Sequence, residues 1–489
     1  MKNLSDHLTV DMRRACLMVF LAGLALRLLH LGSKSLWIDE AYAAGLMDMD
    51  PIQLVRMSVA GSPHPPLSFL FLRFSAMLFG HGETGLRMVP ALASALAAVP
   101  LMLFAARRIG RKAALWTGIV WAVSPYSVSL GQEAWIYGIL SLLGFGLIEL
   151  ADRAWRGSRT SLRLTVAVAL AGVLVQHLFL LFTVAALALY FTLPRNERIP
   201  WKKVVAACAV FIVLYSPFAL LMLDQASFRS ERIARAALDM SEVYRYRLLS
   251  RIPTVFARLI PGGLLAEASG SMMSDAKQLA FWGFFTLVNF FLLAVLFTRR
   301  MLSIRFRLWL AGLFFLPLLL FIVEDPTVRH LTIMWVPLGT AIAAAVDRWR
   351  PLGPVLVVST AVMLLPYYNI SSFPYHRSDW KEAVALVEER IMPEEGIVVI
   401  GGNAGGLAWD YYASAGLHRL APGGDDPYSE HIEPGRSLRS ALDSMLAVYP
   451  SIWIVNDMWG PSAVELLEGS DDLDLIRVSP AMEVIRVSR

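Results

Sequence analysis

Two adjacent carboxylates, Asp39 and Glu40, stand behind a tryptophan, Trp37, just after the first long apolar segment of the chain. The same stretch, Ser35 to Phe74, then presents His64-Pro65-Pro66-Leu67 and a short apolar run. Burying a core needs no Asp-Glu pair beside a membrane span. One reading is an interfacial loop, with Trp37 as aromatic anchor and the acids in water. The other is a catalytic loop, with a carboxylate held at the membrane surface to act on a lipid-borne substrate. Position and charge do not separate the two.

Other polar groups lie at the ends of apolar runs. Gln132 and Glu133 end one run, with Tyr137 a turn later. A glutamate there is a solvated cap or a site group. Arg87 lies one turn into the second span, where an arginine snorkels to the interface or binds a phosphate with its planar fork. Arg329 and His330 open a late span and carry the same two readings. His177 sits in a turn, where a lone histidine is ordinarily a polar turn residue. His64, before two prolines, is held extended, which aims its side chain.

The elements that must position these groups are membrane spans. The chain has 489 residues, 56% hydrophobic and 17% charged, with mean hydropathy +0.56. That is too apolar for a soluble chain of this length and indicates an α-helical polytopic membrane protein. The net charge of +5 reflects arginines in cytoplasmic loops and not a nucleic-acid partner. Cys16 and Cys208 both lie in apolar segments and build no disulfide framework. The segment from Met12 to Leu31, with Arg13 and Arg14 at its start, resembles a signal-anchor rather than a cleaved signal peptide.

Runs of spanning length lie at residues 12–31, 84–106, 112–130, 134–152, 202–222, 278–298, 304–323, 330–347 and 352–370. Residues 65–80 reach only about 24 Å as a helix and carry Arg73, so they are expected to lie on the outer surface. Residues 161–193 are long for one span, with Gln176 and His177 near the middle. Basic clusters at Arg13/Arg14, Arg107/Arg108/Arg111/Lys112, Arg153/Arg156/Arg159/Arg163, Arg195/Arg198/Lys202/Lys203, Arg299/Arg300/Arg305/Arg307 and Arg348/Arg350 belong in the cytoplasm. All share one side only if 65–80 does not cross and 161–193 crosses twice. That gives about eleven spans, with the N-terminus cytoplasmic and the C-terminus outside. Asp39, Glu40, His64, Arg87, Glu133, His177, Glu324, Asp325, Arg329 and His330 then all face the outside, which favours one external site.

The membrane part is expected over 1–375, with a first outer loop at 32–83 and a long outer loop at 224–277. The latter holds amphipathic pieces such as Tyr244 to Leu259 and suits a pair of surface helices. A small extracytoplasmic α/β domain is expected over 376–489. There DWKEAVALVEER and SLRSALDSMLAVY read as helices, and GIVVIGG, SIWIVND, LDLIRVS and MEVIRVS as strands. GGNAGG at 401–406 is a weak match to a nucleotide-binding turn and is read as turn chemistry.

Five motifs carry a resemblance: Trp37-x-Asp39-Glu40, His64-Pro65-Pro66-Leu67, Gly80-x-x-Glu83-x-x-x-Arg87, Gln132-Glu133-Ala134-x-x-Tyr137 and Arg329-His330-Leu331. In this order and on one side, the set resembles the polyprenyl-phosphate-sugar transferases of the glycosyltransferase C (GT-C) class. That class includes the bacterial aminoarabinose transferases of lipid A and the protein O-mannosyltransferases. The resemblance is strongest over residues 35–140. It implies a fold of many spans with surface helices between the first two. It implies Asp39 as the catalytic carboxylate with Glu40 beside it, and His64 and Arg87, with Arg329 and His330, at the donor phosphate. Relatives usually have arginine after Gln-Glu-Ala, where this chain has Trp135; Arg329 is the candidate replacement. The tail transfers no function, because it varies in the family.

The reaction so implied is transfer of a sugar from a polyprenyl phosphate to an acceptor hydroxyl on a lipid, glycan or protein, with inversion, at the outer face of a bacterial plasma membrane. Asp39 is the expected base, with Arg87, His64 and Arg329 stabilising the departing phosphate. Glu133 and Tyr137 are expected to support the acceptor or a divalent cation, the one candidate cofactor. The competing class is a transporter or lipid flippase, which would place charges near mid-bilayer in repeat halves. No internal repeat is evident and the charges gather at one face. A third reading makes the membrane part an anchor for the tail.

Overall fold

The computed structural model describes residues 10–47, 49–60, 64–239, 275–299, 302–319, 328–368, 379–400, 402–414, 417, 446–457, 473–479 and 482–488. Glu324, Asp325, the segment 244–259 and most of the expected helix at 437–449 lie outside these residues. In chain order the first helices are α1 (Val10–Leu28), α2 (Ile38–Gly45), α3 (Pro51–Ala60), α4 (Pro66–Phe79), α5 (Glu83–Leu96) and α6 (Ala98–Arg108). Next come α7 (Arg111–Val123), α8 (Pro125–Gly131), α9 (Tyr137–Trp155), α10 (Arg159–Val175), α11 (Leu180–Leu189) and α12 (Trp201–Asp239). The remaining helices are α13 (Asp275–Thr298), α14 (Ile304–Phe315), α15 (Trp335–Arg348), α16 (Leu352–Tyr368), α17 (Trp380–Arg390) and α18 (Gly402–Tyr412). The strands are β1 (Gly396–Ile400), β2 (Ser451–Asp457), β3 (Leu473–Ser479) and β4 (Met482–Ser488).

The chain divides into two compact units. The first comprises Met1–Leu29, Met49–Ser75 and Arg87–Asn369; the second comprises His30–Asp48, Ala76–Leu86 and Ile370–Arg489. Two pieces of the first outer loop thus group with the tail.

Three helices among the described residues are long and apolar enough to cross a membrane: Glu83–Arg108, Trp201–Leu220 and Arg329–Arg348. Arg111–Val123 and Pro125–Gly131 make a fourth if the pair, bent by 58°, is one span. The bend has a local cause. Pro125 forces Ser124 into extended backbone (φ −68°, ψ 126°) and itself suits the first position of α8. The run 161–193 is broken where the sequence places its polar pair. Gln176 is extended (φ −156°, ψ 130°), and its side chain accepts from the His177 amide at 3.1 Å. Helix α12 runs for 39 residues with Pro217 inside it. Its helix therefore continues through residues 224–239, which the sequence assigns to the outer loop.

The centre of the first unit is α15, where every residue from Trp335 to Val346 is buried. Its small residues let α7 approach closely. Thr117 donates to the Gly339 carbonyl at 2.8 Å, and a Cβ on Gly339 would lie 2.9 Å from the Thr117 methyl. Trp121 packs edge-on against Trp335 and Phe145, at 4.9 and 5.0 Å between ring centres. Arg27 of α1 is fully buried. It donates to Ser94 Oγ (2.9 Å), Ser127 Oγ (2.9 Å), the Gly23 carbonyl (2.7 Å) and the Ala122 carbonyl (3.2 Å), so its fork ties α1 to α5, α7 and α8.

Part of the basic loop charge is paired inside this unit. Arg107 reaches Asp152 at 2.9 Å and also Glu149. Arg108 binds Asp152, Arg153 binds Glu149 at 2.6 Å, and Arg156 binds Glu197 at 2.5 Å. The ends of α6 and α9 are thereby stapled through charge-assisted bonds.

The tail elements of the second unit form a four-stranded sheet of order β1-β2-β4-β3. β1 and β2 run parallel, and the other two pairs antiparallel. A parallel pair needs a crossover, and α18 lies on that connection. Trp380, Val384 and Val387 of α17 and Ala408 and Trp409 of α18 are buried with the strand side chains Ile452, Ile454, Val484 and Ile485. Residues 402–406, read as a turn from their glycines, begin α18 instead. Propensity loses there to packing, because Ala408 and Trp409 need a helix to reach the core.

Candidate active site

Asp39 and Glu40 belong to the second unit. The chain leaves α1 through His30, whose φ of 54° turns the backbone sharply. Trp37 is the N-cap of α2, in extended backbone (φ −85°, ψ 172°), and its side chain accepts nothing from the helix. Glu40 makes up for this. Its Oε2 reaches back to accept from the Trp37 amide at 3.1 Å, which is one half of a capping box. Glu40 is fully buried. Asp39, one residue earlier in the same turn, is half-buried. The neighbouring acids therefore differ in surroundings: Glu40 holds a helix start, and Asp39 is partly open.

The Gly80-Glu83-Arg87 spacing has a structural basis. Gly80 (φ 95°) ends α4 in the left-handed region, where an L side chain is strained. Gly85 packs against that turn, since a Cβ on it would come within 1.9 Å of the Gly80 carbonyl oxygen. Glu83 is the first residue of α5, where the helix dipole favours an acid. Arg87 follows one turn later, in the first unit, and is fully buried. The Val89 amide donates to Ser75 Oγ at 3.0 Å and ties α5 to α4.

The remaining candidates are brought together in the first unit. Arg329 Nη1 donates to Glu133 Oε2 at 3.2 Å, and its guanidinium lies over the Tyr137 ring at 5.2 Å. Tyr137 Oη and His330 Nε2 are 3.2 Å apart. Tyr126 Oη and Thr332 Oγ1 bond at 2.9 Å behind them. Two irregular stretches make the meeting possible. One is the break between α8 and α9; the other is the 3₁₀ segment Val328–Met334, kinked at Leu331 (φ −97°, ψ 18°). Gln132 anchors the first of them. Its Nε2 donates to the carbonyls of Arg27 (2.9 Å) and Leu29 (2.7 Å), and its Oε1 accepts from Tyr367 at 2.6 Å.

Trp135, in the place where the motif usually has arginine, is 2% exposed. His64 packs edge-on against it at 4.9 Å and Phe69 at 6.2 Å. The guanidinium that reaches the Gln-Glu motif is that of Arg329, which the resemblance suggests only as a candidate. His177 stacks on Phe218 of α12 at 6.2 Å, a packing role. Pairings absent from the sequence reading are those of Arg27 and of the tail residues Lys381, Tyr411 and Tyr412. Nothing in local spacing signals them, because each joins segments far apart in the chain.

Among the described residues the side chains do not gather into a divalent-cation site. Glu133 is paired with Arg329, and among the described residues no three His, Cys, Asp or Glu side chains could hold a metal ion.

Residues 63–220 match the family model of the dolichyl-phosphate-mannose-protein mannosyltransferases. The fold is similar to the crystal structure of ArnT from Cupriavidus metallidurans bound to undecaprenyl phosphate. The TM-score is 0.55 at 14% identity, over 96% of this chain and 97% of that one. It is also similar to the crystal structure of the Archaeoglobus fulgidus oligosaccharyltransferase in complex with Zn and sulfate, with TM-score 0.50 and 12% identity over 91% of this chain and 68% of that one. No curated protein matches in sequence. The fold is that of the GT-C class of multi-pass membrane proteins. The family match covers residues 63–220, about a third of the chain.

Proposed function

We propose that this chain moves a sugar from a polyprenyl-phosphate donor to an acceptor hydroxyl on a lipid, glycan or protein. The reaction would take place at the outer face of a bacterial plasma membrane, in a topology of about eleven spans with the N-terminus cytoplasmic and the tail outside. The observation that carries the reading is the fold, which corresponds over 96% of this chain to a protein crystallised with undecaprenyl phosphate. The motif set Trp37-Asp39, His64-Pro65-Pro66 and Arg87 supports the same reading.

In this mechanism Asp39 takes the proton of the acceptor hydroxyl as the oxygen attacks the anomeric carbon. The bond from that carbon to the phosphate oxygen breaks, and the electron pair leaves with polyprenyl phosphate. Arg87, His64, Arg329 and His330 stabilise the charge gathering on the phosphate. Glu133 and Tyr137 hold Arg329 and His330 in place and border the acceptor. A single displacement inverts the anomeric centre. Glu40, as a cap, keeps α2 formed.

The test is transfer from a polyprenyl-phosphate sugar in purified membranes, with donor binding measured in parallel. Asp39→Asn keeps the side chain's size but accepts no proton, so transfer is expected to fall about a hundredfold to ten-thousandfold with donor binding retained. Glu40→Gln keeps an acceptor for the Trp37 amide and should lose less than tenfold, on the order of one hydrogen bond's worth. Wild-type transfer by Asp39→Asn would refute its role as base. A transporter would form no glycosidic product in any variant.

A further inference from the structure

Helix α2 has eight residues, too few to stand by propensity alone. Its N-cap side chain offers no acceptor, and Glu40 satisfies the Trp37 amide. The direction in which α2 presents Asp39 must come from what it packs against. Within the second unit that neighbour is α18 of the tail.

The tail grips the start of α2 through one phenol. The Leu36 amide donates to Tyr412 Oη at 2.6 Å, and Tyr412 Oη donates to Glu83 Oε1 at 3.3 Å. Leu36 is fully buried, so its amide depends on such a partner. The phenol accepts once and donates once, and so joins the residue before Trp37 to the first residue of α5. Lys381 of α17 supports the same two places. Its amide donates to Ser35 Oγ at 3.3 Å and its ammonium to Glu83 Oε1 at 3.4 Å. Tyr411 Oη donates to the His81 carbonyl at 2.8 Å. Tail residues thus meet both ends of the first outer loop.

We infer that the tail is a clamp on the catalytic helix, and that Tyr412 is a positioning residue for transfer, acting through α2 on Asp39. This rests on the assignment of Asp39 as base. A carboxylate displaced by about 1 Å from its proton donor loses up to a hundredfold in rate, so a hydroxyl remote from the chemistry acquires leverage on kcat. The tail's role is then mechanical and does not require it to bind substrate.

The test uses the full-length chain in nanodiscs, as wild type, Tyr412→Phe and Lys381→Met. Amide hydrogen exchange over residues 35–46 is read alongside kcat and donor KM. Tyr412→Phe is expected to speed exchange across the start of α2 and to lower kcat about tenfold to a hundredfold, with donor KM within about twofold. Lys381→Met should move both readouts in the same direction by less. Combined with Asp39→Asn, Tyr412→Phe should cost almost nothing further, because the clamp acts through that carboxylate. Unchanged exchange over 35–46, or unchanged kcat with faster exchange, overturns the inference. So does a double variant whose loss is the product of the two single losses. Should Asp39→Asn transfer normally, the base assignment fails by itself, while the exchange arm still decides whether the tail clamps α2. If Tyr412→Phe does not fold, Lys381→Met carries the same two readouts.

Discussion

At the scale of single residues, the structure separates groups that look alike in the sequence. Asp39 and Glu40 are adjacent acids, but only Glu40 is spent on the Trp37 amide. Arg87 and Arg329 both open apolar helices. Arg87 is wholly buried, whereas Arg329 is held by Glu133 across 196 positions. That pair makes a prediction. If Glu133 serves to orient Arg329, removing either leaves the other misdirected, and removing both costs little more than the worse single change. In a cycle of Arg329→Ala, Glu133→Ala and the double variant, kcat/KM should be strongly non-additive, with a coupling of about 1–3 kcal/mol. Losses that multiply would mean that the two side chains act separately. The acids, the His-Pro-Pro turn and the Gly-Glu-Arg spacing were legible because each is local. Arg27 and Tyr412 were not, because a buried arginine bonded to Ser94 and Ser127, or a phenol bonded to Leu36, leaves no trace in spacing.

At the scale of elements, breaks were easier to read than lengths. The polar pair at Gln176-His177 marks a real end of a helix, since it diverts a backbone bond, whereas the bend at Pro125 falls inside the run 112–130, which the sequence shows as one span. The extent of α12 was not legible, because helix and amphipathic loop share a composition beyond Met222. In the tail, the sequence shows the strands by their alternation, but not what pins β2 to β4. Glu395 does this. Its carboxylate, 2% exposed, accepts from Trp453 Nε1 at 2.7 Å, from Arg486 Nε at 3.0 Å and from the Met392 amide at 3.1 Å. Trp453 and Arg486 are cross-strand partners. Burial raises the Glu395 pKa, but the hydrogen bonds from Arg486, Trp453 and Met392 and the charge of Arg486 outweigh it, so the carboxyl sits below its ordinary value. A depressed folded-state pKa contributes stability above the unfolded value, about 4.3, and that contribution is lost as pH falls through the folded value. Glu395→Gln should therefore cost about 1–3 kcal/mol near neutral pH. Thermal melting of the full chain should show that deficit shrinking below about pH 4. A deficit independent of pH would assign the bonds to geometry and not to charge.

At the scale of the whole molecule, the arginine clusters set the expected topology and the comparisons set the class. Several of those arginines are paired with Asp152, Glu149 and Glu197, so the clusters are less basic than their sequence suggests. Loop arginines still count toward orientation, because the positive-inside rule is not a net-charge rule. A reporter active only outside the cytoplasm is expected to be active when fused after Arg489 and silent after Arg108. Activity at both points, or at neither with the protein in the membrane, would contradict the parity of spans. The central claim is the chemistry, and it is tested most directly by giving the purified chain, in nanodiscs, a polyprenyl-phosphate sugar and an acceptor extract of the cell envelope. Mass spectrometry should find free polyprenyl phosphate and a glycosylated acceptor formed in equal amounts, and NMR should find the anomeric configuration of the product opposite to that of the donor. Donor recovered unchanged, with no new glycosidic bond, would contradict the account.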